Sequence, residues 1–182
     1  MKNDSLELII AGFGGQGVLF AGKLLAHAAM LEGKEVTWFP SYGAEIRGGT
    51  ANCTVIISSE MIGSPVVNNP DTLLIMNNAS MERFAPRLKE GGFLIMNSSL
   101  IKNPPQRKDI GIIQINATDI AEELGSSQVA NMVMIGALIG RTGIISLDTA
   151  IGALREIIPE HKREIILINE TALRRGLKEI AG

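Results

Sequence analysis

The stretch Ile9-Ile10-Ala11-Gly12-Phe13-Gly14-Gly15-Gln16-Gly17-Val18-Leu19 constrains this chain more than any other. An apolar run from Leu6 to Ala11 stops at four glycines within six residues, and an almost wholly apolar helical pattern then runs to about Leu31. Strand, glycine turn and helix, in that order, are the setting in which a G-x-G-x-x-G spacing has structural meaning. Gly12, Gly14 and Gly17 fill its three positions. In that pattern the first glycine permits a tight turn, the second a close backbone approach and the third close packing of helix on strand. The helix then points free N–H groups and its positive dipole end at the loop, which suits a phosphate or carboxylate. The same spacing also builds a plain tight strand-to-helix turn with no ligand.

Composition narrows the class. A chain of 182 residues is most simply one domain, and 46% hydrophobic with 20% charged residues is globular. A net charge of -2 leaves no electrostatic footprint for nucleic acid or an anionic membrane. Cys53 is the single cysteine, which excludes an internal disulfide and any Fe–S or zinc site built from this chain's own thiolates. His27 and His161 are too few for a histidine metal cluster. The N-terminus has no signal-peptide layout, and the longest apolar stretch, Met132 to Ile139, is far short of a span, so the expectation is a cytoplasmic protein.

The pattern predicts a strand over Leu6 to Ala11, a helix over Val18 to Glu32 closed by Gly33, and a strand over Glu35 to Phe39 stopped by Pro40, together one right-handed βαβ unit. Further strands are expected at Ala51 to Ser58, Thr72 to Met76, Phe93 to Asn97 and Ile110 to Ile115, with an edge hairpin around Met61 to Val67. Asn78 or Ser80 is read as capping a short helix to Ala85, and Thr118 another closed by Gly125. Val129 to Arg141 reads as a buried helix, and Ser146 as the cap of Leu147 to Ile158. Arg163 to Ile180 reads as a long amphipathic helix with Ile165, Ile168, Ala172 and Ile180 inward. The fold expected is a single α/β domain, a Rossmann-like open sheet, mainly parallel, with helices on both faces.

A dinucleotide site of the NAD type needs an acidic residue at the end of the second strand, for the ribose hydroxyls. Here that end reads Trp38-Phe39-Pro40-Ser41, and Glu35 lies at the wrong end of the strand. A nucleotide-binding dehydrogenase is therefore poorly supported. What remains is a glycine loop with Gln16 and a helix N-terminus, facing an anion or another polypeptide backbone. The second candidate is the loop Ser41 to Asn52, which leaves the carboxyl end of the second strand, where open α/β sheets place ligands. It gathers Ser41, Tyr42, Glu45, Arg47, Gly48, Gly49 and Thr50. Arg47 offers a planar fork of donors for carboxylate or phosphate, or a local ion pair with Glu45. Cys53 reads as an inert core thiol, His27 as a core histidine, Asn131 as a cap, and Met76, Met81, Met96, Met132 and Met134 as core filling. No nucleophile–base pair or paired carboxylates emerge.

With both loops in view the chain resembles the gamma subunits of the 2-oxoacid:ferredoxin oxidoreductases. The matching residues are Gly12-Phe13-Gly14-Gly15-Gln16-Gly17-Val18, the run from Ser41-Tyr42-Gly43-Ala44-Glu45-Ile46-Arg47-Gly48-Gly49-Thr50 to Cys53, Ser64-Pro65, and Asn69-Pro70-Asp71. Arg47-Gly48-Gly49-Thr50-Ala51-Asn52 looks most like the 2-oxoglutarate type. Ala44 and Ile46 stand where the family commonly has proline and methionine. The resemblance implies one gamma-type domain over residues 1–182 in a complex that decarboxylates a 2-oxoacid to acyl-CoA and reduces ferredoxin. It implies alpha, beta and delta subunits as partners, with thiamine diphosphate, Mg and Fe–S clusters on those subunits and no cofactor held tightly by this chain. Coenzyme A would then be a substrate, and Gly12, Gly14, Gly15, Gln16 and Gly17 would join Ser41, Tyr42, Glu45, Arg47, Gly48, Gly49 and Thr50 in an edge that covers the thiamine site and helps hold it. The alternative is a non-catalytic assembly subunit of the same complex. Whether the isolated chain forms a homodimer is left open.

Overall fold

The computed structural model describes residues 5–41 and 50–181. Tyr42, Glu45, Arg47, Gly48 and Gly49 lie outside the described residues. β1 (Ser5–Phe13), α1 (Val18–Leu31), β2 (Glu35–Ser41) and β3 (Thr50–Ser58) come first in the chain. β4 (Thr72–Ile75), α2 (Asn78–Phe84), β5 (Phe93–Asn97), β6 (Gly111–Ile115), α3 (Ala117–Glu123), α4 (Ala130–Thr142), α5 (Leu147–Ile157) and α6 (Arg163–Ala181) follow.

The six strands form one sheet in the order β2-β3-β1-β4-β5-β6. β1, β4, β5 and β6 run parallel, while β3 is antiparallel to both β1 and β2. β1 and β2 therefore point the same way, as a crossover through α1 requires, but they are not neighbours. The expected βαβ unit is opened by β3, which occupies the place beside β1. Two steps of about 4.8 Å now separate β2 from β1.

Alternation along each strand makes two cores. Leu6, Leu8 and Ile10 of β1 join Cys53, Val55, Ile57, Leu74, Met76, Ile95 and Ile115 against α1, α3 and α4, with α5 and α6 outside them. Ile9 and Ala11 face the other way, with Leu73, Ile75, Leu94 and Met96 against Met81, Phe84 and Leu88. The five methionines read as core filling are all buried.

Several local expectations change. Residues 59–70 form no hairpin; Ser64 Oγ accepts the Val66 N–H, Pro65 has no N–H to give a ladder, and Arg87 pins the segment through the Asn68 and Val67 carbonyls (2.8 and 3.0 Å). α2 is capped by Asn77, whose Oδ1 accepts the Ser80 N–H at 2.8 Å, rather than by Asn78 or Ser80. Thr118 sits inside α3 instead of capping it, because buried Asn97 of β5 donates to its hydroxyl at 2.8 Å. Ser146 caps α5 as expected, through the Thr149 N–H at 3.0 Å. His27 is half-buried and pairs with Glu156 of α5 (Nε2 to Oε2, 2.6 Å), so it is no core histidine.

On α6 the buried stripe is Asn169, Ala172, Leu173 and Gly176, with Ile168 and Ile180 partly covered and Ile165 exposed. The stripe is set by glycine. A Cβ on Gly176 would lie 1.8 Å from the Val133 carbonyl oxygen of α4, and one on Gly136 would lie 2.0 Å from that of Leu173. Two helix backbones meet here with no room for a methyl group. Gly176→Ala is therefore expected to destabilise the fold by about 3 kcal/mol or more by forcing the helices apart. Gly152→Ala on α5, where the new Cβ meets nothing within 4 Å, is expected to stabilise it by about 0.5–1 kcal/mol, both read from urea denaturation.

Glu170 of α6 accepts from Arg174 (2.9 Å) and from Arg155 of α5 (3.1 Å). The Arg174 hydrogen bond, helped by Arg155, holds its carboxyl below the ordinary carboxylate range despite the opposing effect of burial. A carboxyl held low in the fold stabilises above its unfolded pKa and loses that contribution as pH falls through its folded value. Glu170→Gln should thus be less stable than wild type at pH 7, with the gap closing in melts taken below about pH 4.

Candidate functional site

The glycine loop turns at the carboxyl end of β1. Gly15 and Gly17 take left-handed backbone (φ 97° and 70°), so they carry the turn assigned by spacing to Gly12. Gly12 is instead a packing position: a Cβ there would lie 2.6 Å from Gln16 Oε1 and 2.9 Å from both Met76 Cβ and Val18 Cγ2. Gly17 packs against α4 rather than a strand, with Asn131 Nδ2 2.2 Å from the position of its missing Cβ. Gly14 lies in the exposed part of the turn.

Three carboxamides hold the loop. Gln16 folds back, its Oε1 accepting the Phe13 N–H at 2.7 Å and Asn77 Nδ2–H at 3.2 Å. Asn77 is buried at the end of β4 and caps α2 with its other atom. Asn131, 5% exposed, donates from Nδ2 to the Gly17 carbonyl at 3.1 Å and accepts the Met132 N–H at Oδ1. The expected cap thus spans 114 residues and reaches the loop. Gly17 is the N-cap residue of α1 and brings no side-chain cap, nor is there an acidic residue in the first turn. That leaves the positive end of α1 open to an outside acceptor.

The loop separates two recesses that share Gly15 and Gln128. One, of about 480 Å³, runs from Gly17 and Phe20 to Ile158, Lys162 and Asn169. The other, of about 190 Å³, lies over Gln16, Met76, Leu100 and Thr118. A wider depression of about 550 Å³ between α5 and α6 has no glycine-loop residue in its lining, and its charges, Arg155, Arg163, Glu160 and Glu170, pair with one another. We give the glycine-loop crevice the functional weight, because it sits at the carboxyl ends of parallel strands.

The second candidate loop starts and ends at the same edge. Thr50, the first residue of β3, pairs with Phe13, the last of β1, and Ser41 pairs with Asn52. Its two ends are therefore anchored beside the glycine loop, as the sequence requires. Only the structure brings Asn77 and Asn131 to the glycine loop and sets Asn97 against Thr118. Their sequence signal is position: Asn77 follows buried β4 and Asn97 closes buried β5, both at this same sheet end.

An NAD-type reading fails again in three dimensions, because the strand beside β1 is antiparallel β3, not β2. Cys53 is fully buried, its Sγ 3.6 Å from the Val18 carbonyl, and burial pushes its thiol up to about 12. The thiol is thereby kept in its unreactive protonated form. Among the described residues no group of three His, Cys, Asp or Glu could hold a metal, and no helix is long and apolar enough to cross a membrane.

Comparison with known proteins decides the family. The model of the pyruvate ferredoxin/flavodoxin oxidoreductase family matches residues 7–179. The chain belongs to that family. It is 40% identical over 165 residues to the 2-oxoglutarate synthase subunit KorC of Methanothermobacter marburgensis, covering 87% of this chain and 89% of that protein. It is 42% identical over 139 residues to the ketoisovalerate oxidoreductase subunit VorA of the same organism, covering 76% of this chain but only 29% of VorA. The chain thus spans about a third or less of the VorA relatives it matches. Among solved structures, the keto/oxoacid ferredoxin oxidoreductase gamma subunit from Geobacter sulfurreducens superposes with a TM-score of 0.84 at 30% identity, covering 97% of this chain and 98% of that one. A 2-oxoglutarate:ferredoxin oxidoreductase from Magnetococcus marinus, solved with 2-oxoglutarate, coenzyme A and succinyl-CoA bound, superposes with a TM-score of 0.90 at 26% identity, this domain covering 31% of that chain. The gamma-subunit resemblance read from the sequence is borne out.

The buried thiol has a direct consequence. Native protein at pH 8 is expected to take up no iodoacetamide over an hour, while the denatured chain takes up one equivalent at Cys53, as counted by intact mass.

Proposed function

We propose that this chain is the gamma subunit of a 2-oxoacid:ferredoxin oxidoreductase of the 2-oxoglutarate type, a cytoplasmic complex that oxidatively decarboxylates its 2-oxoacid to acyl-CoA. The supporting observation is the family match over residues 7–179 joined to the KorC likeness along nearly the full length of both proteins. The 2-oxoglutarate assignment rests on KorC and on the Arg47-Gly48-Gly49-Thr50 segment; VorA and PorC relatives, the latter at 33% identity, mark the neighbouring substrate classes. Thiamine diphosphate, Mg and Fe–S clusters belong on alpha, beta and delta subunits in this reading, which accords with the inert Cys53.

Within the complex the chain supplies an edge, not a reacting group. The loop's N–H groups and the uncapped start of α1 are set to receive negative charge, and Lys162 lies across the larger recess. Gly12, Gly14, Gly15, Gln16 and Gly17, with Ser41, Tyr42, Glu45, Arg47, Gly48, Gly49 and Thr50, form the side that closes over the thiamine site and helps seat coenzyme A. Coenzyme A fits such an edge because its phosphates need donors and its pantetheine arm needs a long, mostly apolar channel. Gln16 serves the loop more than the ligand, because its carbonyl is already engaged twice.

The assembly-subunit reading predicts a different biochemical outcome. Complex reconstituted without this chain should lose acyl-CoA formation while any 2-oxoacid-dependent electron release on the thiamine subunits persists; full acyl-CoA formation would make the chain structural. In the assembled enzyme, Arg47→Ala should raise the apparent KM for coenzyme A about tenfold or more, the loss expected when a charge-assisted hydrogen bond to phosphate is removed. Unchanged KM and turnover would remove Arg47 from the site.

A further inference from the structure

The Gly17 carbonyl is held from outside its own helix. It accepts the ordinary helical N–H of Ala21 at 2.9 Å and, in addition, the Asn131 side chain at 3.1 Å. Asn131 is almost wholly buried and has no freedom to choose another partner, because its Oδ1 is fixed by the Met132 N–H at 2.9 Å. Its Nδ2 also stands 2.2 Å from where a Gly17 Cβ would be, so residue 17 must be glycine for this bond to form. Gly17 is left-handed, and the plane of its peptide sets where the next N–H groups of α1 point. Gly15, Gly17 and Asn131 line the same recess of about 480 Å³.

From this geometry we propose that Asn131 is a positioning residue for the coenzyme A step, acting through Gly17. The inference rests on the reading of the glycine-loop crevice as part of the coenzyme A seat. A carboxamide placed by α4 fixes the peptide that starts α1, so the loop donors stand ready before a ligand arrives. Preorganised donors avoid reorganisation cost on binding, and so act on affinity. The brace on the other side, Gln16 with Asn77, fixes the loop's entry at Phe13 and leaves Gly15 exposed between the two anchors.

The test uses the assembled complex. Asn131→Asp keeps an acceptor for the Met132 N–H but removes the donor to Gly17, and is close in volume to the original. The expected result is a rise of about tenfold in apparent KM for coenzyme A, with kcat at saturating coenzyme A within about twofold of wild type. A purely structural role would instead lower kcat through loss of active complex and leave KM in place; that result, at a wild-type melting temperature or below it, overturns the proposal. Gly15→Asp, which puts a carboxylate into the crevice, separates the two readings. If it raises KM for coenzyme A and Asn131→Asp does not, the positioning role fails alone. If neither moves KM, the crevice is no coenzyme A seat and both fail.

Discussion

The contact on which the rest of this structure depends is backbone against backbone, where α4 meets α6. Gly136 and Gly176 leave no volume for a methyl group between those helices. Close approach of this kind trades side-chain burial for many short dispersion contacts and for fixed geometry, since neither helix can slide without a clash. α4 is buried over nearly its whole length, and its first turn carries Asn131. Fixing α4 against α6 therefore fixes a side chain that reaches the Gly17 carbonyl at the far side of the sheet end.

The sheet order carries the second consequence. β3 inserts between β1 and β2 and runs back against both, so the last residue of β2, Ser41, and the first of β3, Thr50, both lie at the carboxyl end of β1. Thr50 pairs with Phe13, the residue that leads into the glycine loop. The glycine loop and the strand ends that flank the second loop motif are thereby brought to one end of the sheet. A dinucleotide-binding sheet keeps its second strand beside the first and places a ribose-binding acid there. This chain fills that position with the antiparallel strand β3.

The sequence was most informative where period and punctuation agreed. β1, α1, β5, α4 and α5 lie within a residue or two of the ranges predicted, because long apolar runs bounded by glycine or a serine cap leave few alternatives. It was least informative about residues 59–70, where Arg87 from a distant turn holds the segment, and about the capping of α2 and α3, where Asn77 and Asn97 act from strand ends. The inward face of α6 shifted for a similar reason. Hydrophobicity pointed to Ile165, but the close approach at Gly176 rotated the stripe toward Asn169, Ala172 and Leu173.

What the sequence determined by itself was the class and the family: a strand–glycine–helix opening, a sheet of alternating faces, and two loop motifs specific enough to name the gamma-subunit relatives. Those features are local, written in spacing and residue type. The tertiary structure alone decided which glycine bends and which merely fits, that Gln16 is spent on the loop, and that Asn131 reaches it across 114 residues. Long-range hydrogen bonds and backbone clearances of this kind depend on where packed helices come to rest, and no pattern along the chain encodes that distance.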